Sequence, residues 1–333
     1  MSTTTEPATA APSAPRSRFR LEFKDLGILA GLALILIYLS FATTTFLTPG
    51  NLANLLDQAV VIGLLALGAT ICIISGVFDL SASATLALSA IVGVTVTQTL
   101  GVAGGFVVAL IVGGLLGTLT GTIIVTTRVN SFIGSLAISI IYRGVAVVVT
   151  GGMIVSVASE YRDPFRFLAT PILGGITAGT VLFAIAAVIL GLLLWRTTFG
   201  RRVYAVGGNI DAARLSGVRT PTIHIAAFAI SGICAAAAGM VLAARAGSAQ
   251  PSLGVGMELT AIAAVVIGGT SILGGSGAIW RTVVGVVILT VIGNGFNLLR
   301  WDTTYQQVVT GSLILLAVAA DSWLSRGSRL ARG

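Results

Sequence analysis

One lysine (Lys24), one histidine (His224) and two cysteines (Cys72 and Cys234) limit the chemistry open to this chain. An ATP-binding P-loop has the form G-x-x-x-x-G-K-[ST], in which the lysine meets the phosphates. Lys24 stands in LEFKDLG without that loop, so the chain binds no ATP by that route. A single histidine excludes every motif that needs two. Both cysteines fall inside apolar runs, which leaves neither a disulfide framework nor a thiol metal cluster. No clustered set of His, Cys or carboxylates supports a membrane-embedded enzyme, and no catalytic or metal-binding residue is assigned.

The polar residues that remain are scattered through apolar runs or gathered in one stretch, VGGNIDAARLSGV (206–218). Arg143 lies well inside its run. A guanidinium at a helix centre costs at least ~2.5 kcal/mol, so Arg143 either lines a wet path or anchors a helix on a carbonyl or carboxylate. Asp79 stands at a short turn between two runs. Asn294 and Asn297, three apart, share a helical face and fit either bonds to a solute's hydroxyls in transit or bonds between helices. His224, following Pro221 at a helix start, reads as a local hydrogen-bonding residue.

Helices that cross a membrane must position these residues. The 333 residues are 56% hydrophobic and 9% charged, against roughly a quarter charged in a soluble domain, and mean hydropathy is +1.03. The fold class is all-α, a polytopic membrane protein in one bundle. A span needs about 20 mostly apolar residues. Candidates lie at 26–46, 58–76, 80–100, 102–126, 131–150, 172–194, 223–245, 259–274, 279–298 and 304–324. These ten divide into two sets of five, a number that would make the halves inverted repeats, although no internal sequence repeat supports the division. Glycine-rich joints such as GGTSILGGSG (268–277) point to broken helices near a path, because irregular backbone at membrane depth must be covered by protein or line a cavity.

Residues 1–25 read as a disordered basic tail, 26–324 as the transmembrane domain and 325–333 as a second basic tail. The apolar run after Lys24 is too long for a cleaved signal peptide. Cytoplasmic segments carry the excess of Lys and Arg. With both termini inside, Arg16, Arg18, Arg20, Lys24, Arg128, Arg196, Arg201, Arg202, Arg214, Arg219, Arg281, Arg326, Arg329 and Arg332 all fall on the inner side. The outer side then holds the 151–171 segment, with Glu160, Tyr161, Arg162, Asp163 and Arg166, and the stretch containing Gln250, Pro251 and Glu258. Both are surfaces on which an external partner could dock. The alternatives are a solvated loop of mixed charge for the first and a gate for the second.

The longest inner loop, about 196–222, contains the polar stretch. Asn209 is suited to cap a helix of about two turns, Asp211 to its positive first turn, Arg214 to its negative end and Gly217 to a left-handed close. A helix below ~12 residues is marginal in water, so this one must dock. A face of Ile210, Arg214, Leu215 and Val218 suits a cleft in a soluble partner; a connector lying on the membrane surface is the other reading.

GGNIDAARLSGV, followed by SAQPSLGVGMELTAIAAVVIGGTSILGGSGAIW (248–280), resembles the membrane-spanning permease subunit of bacterial ABC importers of the ribose and other monosaccharide class. NGFNLL (294–299), YQQVVTGSLILLAV (305–318), FDLSASATLALSA (78–90) and RGVAVVVTGG (143–152) extend the likeness over nearly everything after residue 26. Departures are Ala82 and Ser83 after the Asp-Leu-Ser turn, Thr260 at a usually acidic position and Ser276 where a lysine is common. The resemblance implies that Gly207, Gly208, Asn209, Ala213, Arg214, Leu215, Ser216 and Gly217 couple the bundle to a cytoplasmic ATP-binding subunit. That subunit would use ATP and Mg, while this chain binds no cofactor. It also implies an extracytoplasmic sugar-binding protein, a second permease copy or paralogue, and residence in the bacterial inner membrane with lipid around it and no nucleic acid. A self-contained secondary carrier is the rival. Carriers of that kind tend to keep ionisable groups inside the membrane, and Arg143 and Asp79 offer little of that.

Overall fold

The computed structural model describes residues 23–302 and, beyond them, 305, 306, 308, 309, 311, 312 and 315. The tail at 1–25 apart from its last three residues, the tail at 325–333 and most of the expected span 304–324 lie outside the described residues. The chain is helical almost throughout. Its helices are α1 (Phe23–Ala42), α2 (Pro49–Ile74), α3 (Ala82–Thr127), α4 (Ser131–Thr150), α5 (Arg162–Arg166), α6 (Ala178–Arg196), α7 (Thr198–Gly208), α8 (Ile210–Leu215), α9 (Thr220–Ala246), α10 (Met257–Ile267) and α11 (Ile279–Leu298). Two small antiparallel pairs complete it: β1 (Val155–Ser156) with β4 (Ser248–Ala249), and β2 (Pro171–Leu173) with β3 (Ile176–Thr177).

Among the described residues, α2, α3, α4, α6, α9 and α11 are long and apolar enough to cross a membrane. This is an all-α polytopic membrane protein. The expected spans 80–100 and 102–126 are both present inside α3, joined without a loop at Gly101, whose φ of 71° and ψ of 177° break the helix. Two expectations need correction. The span placed at 172–194 begins at Ala178, because Gly174 and Gly175, with φ of 57° and 88°, turn the preceding residues into the β2–β3 hairpin. The run at 259–274 is only an 11-residue helix, α10, after which Gly269, Gly274 and Gly275 adopt positive φ and the backbone leaves helical geometry.

The core gathers on α2. Of its apolar stretch 83% is buried, against 22% for α6, so α2 runs through the centre and α6 along the rim. Exposed Ile140, Val148, Ile185 and Val188 on α4 and α6 suit hydrocarbon. Between α3 and α9 the backbones touch: a Cβ added at Gly113 or Gly117 would strike the carbonyl of Gly232 or Phe228, and one at Gly121 would lie 2.9 Å from Ile225 Cα. Spacing these glycines every fourth residue puts them on one face. Without a hydrophobic force between helices in lipid, such close approach supplies the packing that holds them together.

At one end of the bundle, α2, α6 and α9 are tied by a polar knot. Arg245 on α9 pairs with the Asp57 carboxylate at 3.0 Å and bonds the Asp57 carbonyl, while Thr177, the N-cap of α6, donates to the same carboxylate at 2.9 Å.

Gly117→Val is expected to lower the thermal stability of the detergent-purified chain by about 1–3 kcal/mol, the usual range for overpacking. Gly31→Ala, where an added Cβ meets nothing within 4 Å, should leave the melting curve in place. Equal melting of the two variants would show that α3 and α9 do not pack through these glycines.

Candidate functional site

At the bundle end opposite the Asp57 knot, residues 209–217 of the polar stretch take the capped short helix expected from the sequence. Asn209 caps α8, its Oδ1 accepting from the N–H groups of Asp211 at 3.1 Å and Ala212 at 2.9 Å. Asp211 occupies the first turn and Arg214 the last, and Gly217 closes the helix with φ 78°. The face expected to be mixed divides. Ala213 is buried, Ile210 and Val218 are half-buried, and Leu215 is 90% exposed beside exposed Arg214 and Ser216. The Arg214–Asp211 contact of 3.8 Å joins two exposed groups and adds little stability.

The sequence reading did not find α7. Thr197 caps it, its Oγ1 accepting from Gly200 N at 3.2 Å, and the helix buries Val203 and Val206 while Arg201 and Arg202 face outward. The buried pair three apart in RRVYAVGG was the available signal. Tyr204 of α7 donates its hydroxyl to the Gly277 carbonyl at 2.8 Å. Burial pushes the phenol above its ordinary pKa, with the Arg281 charge pulling the other way, so the hydroxyl keeps the proton that this bond needs.

Deeper in the bundle, Asp79 is buried and fully engaged. Its Oδ1 accepts from the Ser81 N–H at 2.9 Å and hydroxyl at 2.6 Å, and its Oδ2 from the Ser231 hydroxyl of α9 at 2.7 Å. The surrounding turn is held from α4: Ser131 Oγ accepts from Phe78 N and Ser135 Oγ from Leu80 N, each at 3.0 Å. Arg143, also on α4, donates to the carbonyls of Pro251 at 2.6 Å and Leu253 at 3.3 Å, and to Ser83 Oγ at 3.0 Å. Of the two roles open to Arg143 in the sequence, this geometry shows the helix-to-carbonyl contact directly.

Glu258, expected on the docking surface, is half-buried in the first turn of α10, and its Oε2 is buried without a hydrogen-bond partner among the described residues. Gln250 follows β4, which pairs with β1 inside the 151–171 segment. In that segment Glu160, Arg162, Asp163 and Arg166 are exposed, Tyr161 is half-buried and Phe165 is fully buried as the anchor. The two asparagines of α11 separate. Asn294 is buried and exchanges two hydrogen bonds with Asn51 of α2, at 3.0 and 2.8 Å, while Asn297 is exposed. Asn51 lies between two of the expected spans, and its partner is 243 residues away along the chain. His224 bonds the Ser75 carbonyl at 3.2 Å. Among the described residues no group of three or more His, Cys, Asp or Glu could hold a metal ion.

Residues 51–318 match the family model described as branched-chain amino acid transport system / permease component. The ribose import permease protein RbsC of Bacillus subtilis (strain 168) is 39% identical over 313 residues, covering 92% of this chain and 95% of the relative. The D-allose transport system permease protein AlsC of Escherichia coli (strain K12) is 37% identical over 333 residues, covering 98% of this chain and all of the relative. The xylose transport system permease protein XylH of the same strain is 35% identical over 359 residues, covering 89% and 91%. With matches of this extent laid over a bundle of apolar helices, the chain belongs to this family of transport-system permease components.

Proposed function

We propose that the chain is the membrane-spanning subunit of an ATP-driven, binding-protein-dependent importer, and that it forms the translocation path for a sugar, ribose-like or a related monosaccharide, by alternating access. The observation that carries this is α8: six residues long, capped at both ends, with Leu215 90% exposed on its outer face. A helix this short is not stable by itself, and an apolar side chain so exposed next to Arg214 suits the cleft of a soluble subunit. The sugar class draws on relatives named for ribose, allose and xylose transport, each aligned over nearly its whole length.

In this reading ten spans form two inverted five-helix halves, with both termini and the 196–222 loop on the cytoplasmic face of the bacterial inner membrane. Gly207, Gly208, Asn209, Asp211, Ala213, Arg214, Leu215, Ser216 and Gly217 form the coupling segment. A cytoplasmic ATP-binding cassette subunit, using ATP and Mg, takes α8. An extracytoplasmic sugar-binding protein docks on Glu160, Arg162, Asp163, Gln250 and Glu258, and a second copy or paralogue completes the path. The chain itself holds no cofactor and catalyses no reaction.

Asp79, Arg143 and exposed Asn297 belong to the path or its gate; Asn294, spent on Asn51, holds α11 to α2. Closure of the ATP-binding subunits favours one of two bundle states, and transport follows from that shift in population.

Purified chain in vesicles without partners should move no sugar down an ion gradient and should recover ATP-dependent uptake when the ATP-binding and receptor subunits are added. Uptake by the chain alone would identify a secondary carrier instead. In the complete assembly, Arg214→Glu is expected to cut uptake and receptor-stimulated hydrolysis by about tenfold or more, as reversing a charge at an interface does. Unchanged uptake with the ATP-binding subunit still co-purifying would remove α8 from the coupling site.

A further inference from the structure

The exposed side chains of α6 fall on one line. Val181, Ile185, Val188, Leu192 and Trp195 are spaced alternately four and three residues apart, which places them on a single helical face. With only 22% of its apolar stretch buried, α6 leaves that face to hydrocarbon. The line ends in a change of character. Arg196 is the last residue of the helix, and its guanidinium stacks over the Trp195 ring, 4.0 Å from the centroid. Tryptophan, apolar in body and polar at one tip, sits at the headgroup level of a bilayer.

The chain then turns back sharply. Thr197 Oγ1 donates to the Leu193 carbonyl at 2.6 Å and accepts from the Gly200 N–H at 3.2 Å, and a Cβ on Gly200 would strike the Leu194 carbonyl. So tight a corner brings Arg201 and Arg202 of α7 to the end of α6, and both are exposed. No acidic residue answers the three guanidinium groups. The sequence has no Asp or Glu between Asp163 and Asp211, and the ion pairs among the described residues, Arg214–Asp211 and Arg245–Asp57, involve none of the three.

We propose that this corner is a binding site for an anionic phospholipid, whose phosphate lies on Arg196, Arg201 and Arg202 and whose acyl chains follow the exposed line of α6. A planar guanidinium takes a phosphate through paired N–H groups. Stacking on Trp195 holds Arg196 at the border where that phosphate lies. A soluble subunit fits the corner less well, because the charge runs directly into a face that only hydrocarbon covers. The site requires a chain that crosses a membrane; it is independent of the solute carried and of what α8 meets.

The test places the full chain in phosphatidylcholine vesicles with either brominated phosphatidylglycerol or brominated phosphatidylcholine, whose bromines quench a nearby indole. Subtracting Trp195→Phe from the wild type isolates Trp195 among the four tryptophans. Quenching of Trp195 is expected to show a preference for phosphatidylglycerol of about tenfold, which shrinks by about twofold or more when salt rises from about 0.05 M to about 0.5 M. Replacing the three arginines together (Arg196→Gln, Arg201→Gln, Arg202→Gln) should bring the preference to about one with the melting curve in place, and Arg196→Gln alone should lower it by about threefold.

Equal quenching by the two lipids would overturn the proposal, as would a preference that survives the triple replacement. Where the triple variant does not fold, Arg196→Gln decides, and an undiminished preference in that variant refutes the site. Loss of the preference when the ATP-binding subunit is added would give the corner to that partner and refute it equally.

Discussion

A helix that ends inside a membrane bundle must find donors for its last carbonyls, and much of this structure answers that demand at the end of α2. A buried carbonyl left unsatisfied costs several kcal/mol. The N–H groups of Ser75, Val77 and Gly76 close the carbonyls of Ile71, Cys72 and Ile73, and Gly275 and His224 provide the donors for Ile74 and Ser75. The chain then runs through irregular backbone to α3, and the same rule selects the residues around it: hydroxyls of Ser131 and Ser135 accept from Phe78 and Leu80, and Ser231 satisfies Asp79. The buried carboxylate, the serines of α4 and α9 and the glycine loop after α10 are parts of one solution to one break.

Small residues serve this fold in two distinct ways. On α3, Gly113, Gly117 and Gly121 keep helical geometry and act by absence, letting α9 come to backbone contact. Gly101, Gly269, Gly274 and Gly275 act by conformation, placing positive φ where a helix must bend or stop. Gly207 belongs to the first kind although it lies outside the long helices, since a Cβ there would strike the Ile74 carbonyl. Its neighbour across that contact, Gly275, belongs to both.

The sequence disclosed whatever depends on local order. Apolar length located the spans. The Asn209 cap and the left-handed Gly217 of α8 could be placed because capping is a property of a few adjacent residues. Arg143 was recognisable as a buried charge, but its partners, the carbonyls of Pro251 and Leu253, are backbone groups more than a hundred positions away and leave no mark in composition. The same holds for Asn51 with Asn294, 243 residues apart. Helix α7 was passed over because its arginines made a polar average out of a helix whose inner face is Val203 and Val206. The start of α6 was misplaced for the opposite reason: apolar residues of the β2–β3 hairpin ran on into the helix and hid the turn at Gly174 and Gly175.

The two ends of α2 now have a mechanical relation. A helix of 26 residues is about 39 Å long and stiff over that length. At one end Asp57 binds Arg245 and Thr177, which fixes α2 to α9 and to the start of α6; at the other, Ile74 and Ser75 are fixed to the glycine loop and to His224 of α9. α9 holds α2 at both ends, and the glycines of α3 lie against α9 without intervening side chains, so α2, α9 and the second half of α3 form one packed block. α4 is joined to this block through buried Ile138, Tyr142 and Ala146, through Tyr142 bonds to Thr120 and the Leu116 carbonyl of α3, and through serine and arginine bonds to the Asp79 turn and to the 251–253 backbone.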